Sequence, residues 1–514
     1  MNNRLYNIFF HTHTISGIII SAILYVIFFA GSFAFFRDEI VNWERNHTTK
    51  ANDDIELNFS KALEKIDTTY NLYGRDIELK KYYQEQQIGV YVGTSQDTIS
   101  VKKANETAFF YIDTQQLNTI SYEESYSLGE FLYRLHFLAQ VPYPIGYYLS
   151  GFIALFFLFA IITGILIHWK KIISNFYVFR PLAKIKTLWS DAHTALGVVG
   201  IPFQFVYAVT GAFFMIKALL IAPSVLFLYN GDEAKFYEDL GYAHPHFEFA
   251  GHKLSKTPDI QKFTNKTKEM WPGFEIGEIH MFNYNDTNMH ILISGHLPYK
   301  NKYNGVGEAI YKVSNGELVS KKDPTLKTTY LEAVKNIMYR IHYGDYGGYL
   351  LKIISFILGL ITCFVIISGI MIWLVARDKK HISEQKRKFN YWLVTVYLAI
   401  CLGMYPVTAF SFIAVKLIKV NMMLLYNIYF LSWLVVIVCF IIKKEHRFIL
   451  KYSLLSGAVL GFLIPIVNGF MTSNWIWKTI SNHQYQILFI DMFWLILSLV
   501  SIWIYIKLKR KAIV

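Results

Sequence analysis

HTHTISG, residues 11–17, stands at the start of a long apolar run, and HTALG, residues 193–197, opens another. Histidine is rare inside segments that cross a bilayer, because its polar ring must leave water; placing it alike in two such runs needs a reason. Extended along both runs, the match holds: His13, Thr14, Gly17, Gly31 and Phe33 return as His193, Thr194, Gly197, Gly211 and Phe213 with every interval kept. A second pair of signatures, Tyr133-Arg134-Leu135-His136 and Tyr339-Arg340-Ile341-His342, ends a short amphipathic stretch in each half. A break follows each, at Pro142 and Pro144 or at Gly344, Gly347 and Gly348, and then an apolar run closing as TGILIHW (163–169) or SGIMIWL (368–374). Residues 1–170 and 185–376 therefore read as a parallel internal duplication, two copies in one topology related by an axis along the membrane normal.

Composition agrees with a membrane setting. With 54% hydrophobic, 17% aromatic and only 17% charged residues, the 514-residue chain is too apolar for an ordinary soluble enzyme. Since about 20 apolar residues cross a bilayer, the chain reads as a mainly α, polytopic membrane protein of about eight spanning helices. The expected order is a span in 1–36, an extracytoplasmic segment 37–146, a span in 147–170, a cytoplasmic loop 171–192 and a span in 193–220. A second extracytoplasmic segment, 221–348, a fourth span in 349–376 and an appended four-helix region, 377–514, complete it. The first run is longer than a signal-peptide core and lacks a small-residue cleavage site, so it reads as a retained anchor. Both extracytoplasmic segments mix strand-like alternation with turn signals, for example QIGVYVGTSQDTISVKK and HMFNYNDTNMHILISG, and each reads as a small α+β domain.

Basic residues mark alternate loops: Lys170, Lys171, Arg180, Lys184 and Lys186; Arg377, Lys379, Lys380, Lys386, Arg387 and Lys388; Lys443, Lys444 and Arg447; Lys507, Lys509, Arg510 and Lys511. By the positive-inside rule these loops and both termini are expected in the cytoplasm. The net charge of +13 is then a topology signal and a contact with anionic lipid rather than a nucleic-acid surface. Cys363, Cys401 and Cys439 lie in apolar runs without CxxC spacing, which predicts neither a disulfide nor a metal cluster.

A twofold axis brings equivalent positions into opposition, so His13 is expected to face His193 near the inner surface and His136 to face His342 near the outer one. Two facing imidazoles per leaflet are what six-coordinate haem iron takes as axial ligands. Arg134 and Arg340 have guanidinium groups that match haem propionates, although interfacial snorkelling explains them equally well. The glycines admit a flat macrocycle or simply a neighbouring helix. Zinc fits less well, since two histidines leave its tetrahedral shell unfilled, and a proton relay stays open. His168, which aligns with Trp373, and His11, which has no counterpart, are minor candidates for the inner pair. His244, His246, His252, His280, His290 and His296 are spread without ligand spacing and read as ordinary strand or surface histidines. NWIWK (474–478) reads as an interfacial aromatic belt, and Asp491 is a weak candidate for a proton path.

GSFAFFRDEI, FFYIDTQQLNTIS, the YRLH and YRIHYGDYGGY segments and the endings TGILIHW and SGIMIWL together resemble the PepSY-associated transmembrane family over about residues 1–378. That resemblance implies extracytoplasmic PepSY-like domains, two b-type haems, and ligand positions at His13, His136, His193 and His342, with His168 less certain. It also implies a bacterial inner-membrane oxidoreductase that reduces ferric siderophore on the periplasmic side. No nucleotide-binding signature is present, so the expected electron donor is a separate cytoplasmic reductase or membrane quinol. The competing expectations are a non-enzymatic PepSY protein that binds a protein or peptide, and a transporter.

Overall fold

The computed structural model describes residues 2–49, 52–99, 101, 103–177, 180, 185–239 and 245–510. Lys184, His244 and Lys511 lie outside the described residues. The chain divides into two compact units, one of residues 1–46, 127–223 and 341–514 and the other of residues 47–126 and 224–340.

Among the described residues, eight helices are long and apolar enough to cross a membrane. They are α1 (Asn3–Ala34), α5 (Ile145–His168), α7 (Ile185–Leu228), α11 (Gly348–Arg377), α12 (Glu384–Leu417), α13 (Met422–Lys443), α14 (His446–Thr472) and α16 (Tyr485–Arg510). The backbone of such segments must satisfy itself, so continuous helices are what these runs can form in lipid. Several carry side-chain caps: Asn2 accepts from the Leu5 N–H ahead of α1, and Asn421 from the Leu424 N–H ahead of α13. α1 turns Ile20, Leu24, Phe28 and Phe33 inward, against α5 and α11. α7 is 44 residues long, which at about 1.5 Å per residue exceeds any bilayer crossing. Short helices complete the helical unit: α2 (Arg37–Arg45), α4 (Leu128–Leu135), α6 (Ile172–Tyr177) and α15 (Ile476–Ser481).

The second unit is built on one antiparallel sheet in the order β4-β3-β2-β1-β5-β6-β7-β8. Residues 47–126 supply α3 (Phe59–Tyr70), β1 (Arg75–Lys80), β2 (Gln87–Ser95), β3 (Ala108–Asp113) and β4 (Thr119–Ile120). Residues 224–340 supply α8 (Glu233–Asp239), α9 (Ile260–Met270), β5 (Glu275–Phe282), β6 (His290–His296), β7 (Val306–Lys312) and β8 (Leu318–Lys322). α10 (Tyr330–Tyr343) follows. The two long polar segments thus do not close separate sheets. β1 pairs with β5, with Ile77 opposite Met281 and Leu79 opposite Ile279. All four of these side chains are fully buried, so a half standing alone would expose an apolar edge strand ready to pair with another chain. Ala62, Leu63 and Ile66 of α3 and Ile260 and Phe263 of α9 belong to the same core as the inward residues of β1, β2, β5 and β6.

Candidate functional site

In the helical unit the repeated histidines meet in pairs. The rings of His13 on α1 and His193 on α7 have centroids 6.2 Å apart, and those of His136 and His342 lie 6.4 Å apart. His136 caps the C-terminus of α4, and His342 lies in the last turn of α10. Gly31, whose Cβ position would lie 3.7 Å from the His136 Cβ, is eighteen residues beyond His13 on α1. At about 1.5 Å per residue the two pairs are about 27 Å apart along the helix axis.

The surroundings of His13 and His193 are alike. His13 Nδ1 lies 2.9 Å from the Ala160 carbonyl and 3.4 Å from Thr163 Oγ1. His193 Nδ1 lies 2.9 Å from the Val365 carbonyl and 3.1 Å from Ser368 Oγ. A carbonyl only accepts, so Nδ1 carries a proton in both rings, and Nε2 is the nitrogen left for another partner. Thr163 and Ser368 spend their own protons on backbone carbonyls of their helices and face the imidazole as acceptors. Beside each ring stands a glycine: a Cβ on Gly164 would lie 3.3 Å from His13 Cε1, and one on Gly369 would lie 3.2 Å from His193 Cε1.

At the other pair the acceptors differ. His136 Nδ1 donates to the Tyr133 carbonyl one turn back on its own helix. His342 Nδ1 lies 2.7 Å from Thr210 Oγ1 on α7, and that hydroxyl donates to the Val206 carbonyl. Tyr207 donates to the His342 carbonyl at 3.1 Å and packs against its ring. Burial lowers His136 to about 4, and burial together with the nearby His136 lowers His342 to about 3, so both rings are neutral at physiological pH. Between the pairs runs an aromatic file: Tyr207 meets Phe203 at 4.4 Å, Phe203 meets Phe28 at 6.3 Å, and Phe28 meets Phe157 at 5.3 Å.

Arg134 is engaged within its own helix. Its Nε lies 2.6 Å from Glu130 Oε1, and Arg37 holds the other oxygen of the same carboxylate at 2.9 Å. Burial opposes ionisation of Glu130, but the two guanidinium groups outweigh it and hold the carboxyl below its usual range. Arg340, in the sheet unit, lies with its Cζ 3.8 Å from the ring centroid of Tyr299. His168 ends α5 within electrostatic reach of His193, and His11 is exposed, edge-on to Phe10. Of the sheet histidines, His290 stacks on Phe247, His280 on Phe282 and His296 on Tyr299.

The imidazole pairs fit a bis-histidine metal. Two opposed nitrogens at about 2 Å from one metal, with each ring centre about 1.1 Å further out, space the centroids by about 6 Å, as observed at both pairs. Nδ1 donation to an acceptor fixes the ring and its tautomer, the support that ligating histidines ordinarily have. The hydroxyls of Thr163, Ser368 and Thr210 and the ring of Tyr207 were not singled out in the sequence. Thr163 and Ser368 do sit at matching places in TGILIHW and SGIMIWL. Thr210 and Tyr207 have no such mark, because Ala30 and Ile27 occupy the corresponding places on α1.

Among curated proteins none matches the chain. The family model described as the PepSY-associated TM region matches residues 10–376, a span that takes in all four paired histidines and stops short of α12. The chain belongs to the PepSY-associated TM region family.

Proposed function

We propose that the chain is an inner-membrane b-type dihaem oxidoreductase that carries electrons across the membrane and reduces ferric siderophore on the outer side. The observation that carries this reading is the recurrence of one arrangement: two imidazoles with ring centroids 6.2 or 6.4 Å apart, each with Nδ1 turned to a protein acceptor. His13 and His193 would hold one haem, and His136 and His342 the other. Bound haem supplies one-electron transfer through an iron whose potential follows its axial ligands, their hydrogen bonds and burial.

The protein's own residues prepare these positions. Ala160, Val365, Tyr133 and Thr210 keep the protons on Nδ1 and so leave Nε2 for the metal. Gly164 and Gly369 give the rings of His13 and His193 room against the neighbouring helix. Reduction of a ferric chelate adds one electron to its iron, and the ferrous product is held less tightly by oxygen donors and so is released. The electron comes from a cytoplasmic reductase or a membrane quinol. The parallel duplication explains why both pairs combine a histidine of the first half with one of the second.

A reduced-minus-oxidised absorption spectrum of the purified protein tests the reading. B-type bands are expected, and a difference spectrum without them would sink it. His136→Ala and His342→Ala should each remove one and the same haem and spare the other; loss of different haems would refute the pairing.

A further inference from the structure

We infer that the sheet unit carries a binding site for a divalent transition-metal ion, formed by Asp53, Glu275 and His296. One ligand atom from each of these three side chains lies within 4.8 Å of the other two. Glu275 opens β5 and His296 closes β6, and the two are direct cross-strand partners, so their side chains leave the same face of the sheet. Asp53 comes from a segment far away in sequence and is tied to that corner by three hydrogen bonds. Its own N–H lies 3.2 Å from Glu275 Oε2, the Ile55 N–H lies 2.8 Å from the Ile276 carbonyl, and Asp54 Oδ1 accepts from the Ile276 N–H at 3.0 Å.

The placement of His296 suits a metal ligand. Its Nδ1 lies 3.0 Å from the Leu297 carbonyl and so carries a proton. Its Nε2 lies 3.2 Å from Asp53 Oδ2. Nε2 and Oδ2 therefore face each other across a gap that either a proton on Nε2 or a metal ion held by both atoms can bridge. The spacing suits a metal: at about 2.1 Å from each atom it would bring nitrogen and oxygen to about 3.2 Å for a bond angle near 100°. The second shell is also in place. Gln84 Nε2 lies 3.2 Å from Asp53 Oδ1, leaving Oδ2 toward His296, and Tyr299 stacks on the imidazole with ring centroids 4.0 Å apart.

Two carboxylates and one imidazole neutralise a doubly charged ion and suit zinc, manganese or ferrous iron. A soft cuprous ion would want sulfur, and calcium would want six or more oxygens. His296 is buried, whereas Asp53 and Glu275 are partly open, so the remaining coordination positions face water and the ion can exchange. The comparable strand corner in the first half of the sheet, where Arg75 opens β1 opposite Ser95, holds a cation of the protein's own. There the buried Arg75 guanidinium donates to the carbonyls of Asn71, Gly93, Lys103 and Glu106.

The site does not depend on haem. The test is a Zn²⁺ titration of the full-length protein, purified in detergent without a polyhistidine tag, against a chromophoric chelator, with Mn²⁺ binding followed by electron paramagnetic resonance. One Zn²⁺ per chain is expected at the tightest site. Asp53→Asn and Glu275→Gln should each weaken it at least tenfold, while His252→Gln, on an exposed histidine, leaves it unchanged. Both amide variants keep an oxygen acceptor and nearly the same shape, so the fold is expected to survive; an unchanged melting temperature checks this. Equal Zn²⁺ affinity in the wild type and in the Asp53→Asn/Glu275→Gln double variant would overturn the site. Haem content read from the same samples separates the two proposals: protein without b-type bands that still binds Zn²⁺ refutes only the haem reading, and the reverse refutes only this one.

Discussion

Adding one methyl group at Gly369 tests the site where its tolerance is smallest. A Cβ there would lie 3.2 Å from His193 Cε1 and 3.6 Å from Nδ1. Carbon atoms in comfortable contact stay about 3.5–4.0 Å apart, so the ring must give by at least about 0.3 Å. Its Nδ1 is held at 2.9 Å by the Val365 carbonyl and at 3.1 Å by Ser368. A shift of that size stretches these contacts to or beyond the normal hydrogen-bond limit, at a cost of about 0.5–1.5 kcal/mol. Since each 1.4 kcal/mol is about a tenfold change in an equilibrium, Gly369→Ala should weaken cofactor retention at the His13–His193 pair by about two- to tenfold. Gly369→Val adds two further methyl groups in the same space and should empty that position. Gly164→Ala and Gly164→Val should do the same, because the Gly164 position lies 3.3 Å from His13 Cε1. The assay is haem content per chain with redox-titrated difference spectra, and thermal unfolding as the control for folding. A Gly369→Val protein that melts normally and keeps both b-type signals with unaltered midpoints would refute the reasoning.

Three further outcomes follow from other contacts. Glu130→Gln takes the shared carboxylate from the buried Arg37 and from Arg134, a loss of about 3 kcal/mol seen as a lower melting temperature in detergent. Because the folded-state carboxyl sits below its usual range, Glu130 contributes stability above the pH where an unfolded glutamate titrates and loses it as pH falls through the depressed value; the variant should flatten that acid limb. Thr210→Val removes the acceptor of His342 Nδ1 and should shift the midpoint of the His136–His342 centre alone, as a redox titration would reveal. Asp491→Ala strands two buried donors, Trp43 Nε1 at 2.8 Å and Asn468 Nδ2 at 2.9 Å, at about 1–3 kcal/mol each, and chemical or thermal unfolding should register the sum.

The spans and the histidine pairing were legible because each is written in a local signal. Apolar length marks a helix that must satisfy its own backbone in lipid, and preserved intervals such as His13 to Gly31 and His193 to Gly211 mark equivalent places. The joining of the two polar segments into one sheet was not legible, since pairing of β1 with β5 is a contact about 200 residues apart with no turn between the strands to announce it. The same holds for Asp53, Glu275 and His296. Six histidines in one segment draw attention to that segment, yet the carboxylate that faces His296 is supplied by the other. The ion pair of Arg134 with Glu130, four residues earlier on α4, is by contrast a contact that helical spacing alone places in reach.

The helices beyond the family match gain a physical role from what they touch. Trp43 of α2 donates to Asp491 of α16, Lys416 of α12 lies over the Trp43 ring and donates to its carbonyl, and Asn42 donates to Gln486. Tyr429 of α13 packs on Phe131 of α4 at 4.6 Å, and the Leu128 N–H that begins α4 is taken by Glu44 of α2. These contacts converge on the two short helices, α2 and α4, and α4 ends at His136. One histidine of the His136–His342 pair therefore stands on a platform clamped by the appended helices. Because buried polar partners leave a clamped segment few alternative geometries, these contacts hold in place the short helix that His136 caps.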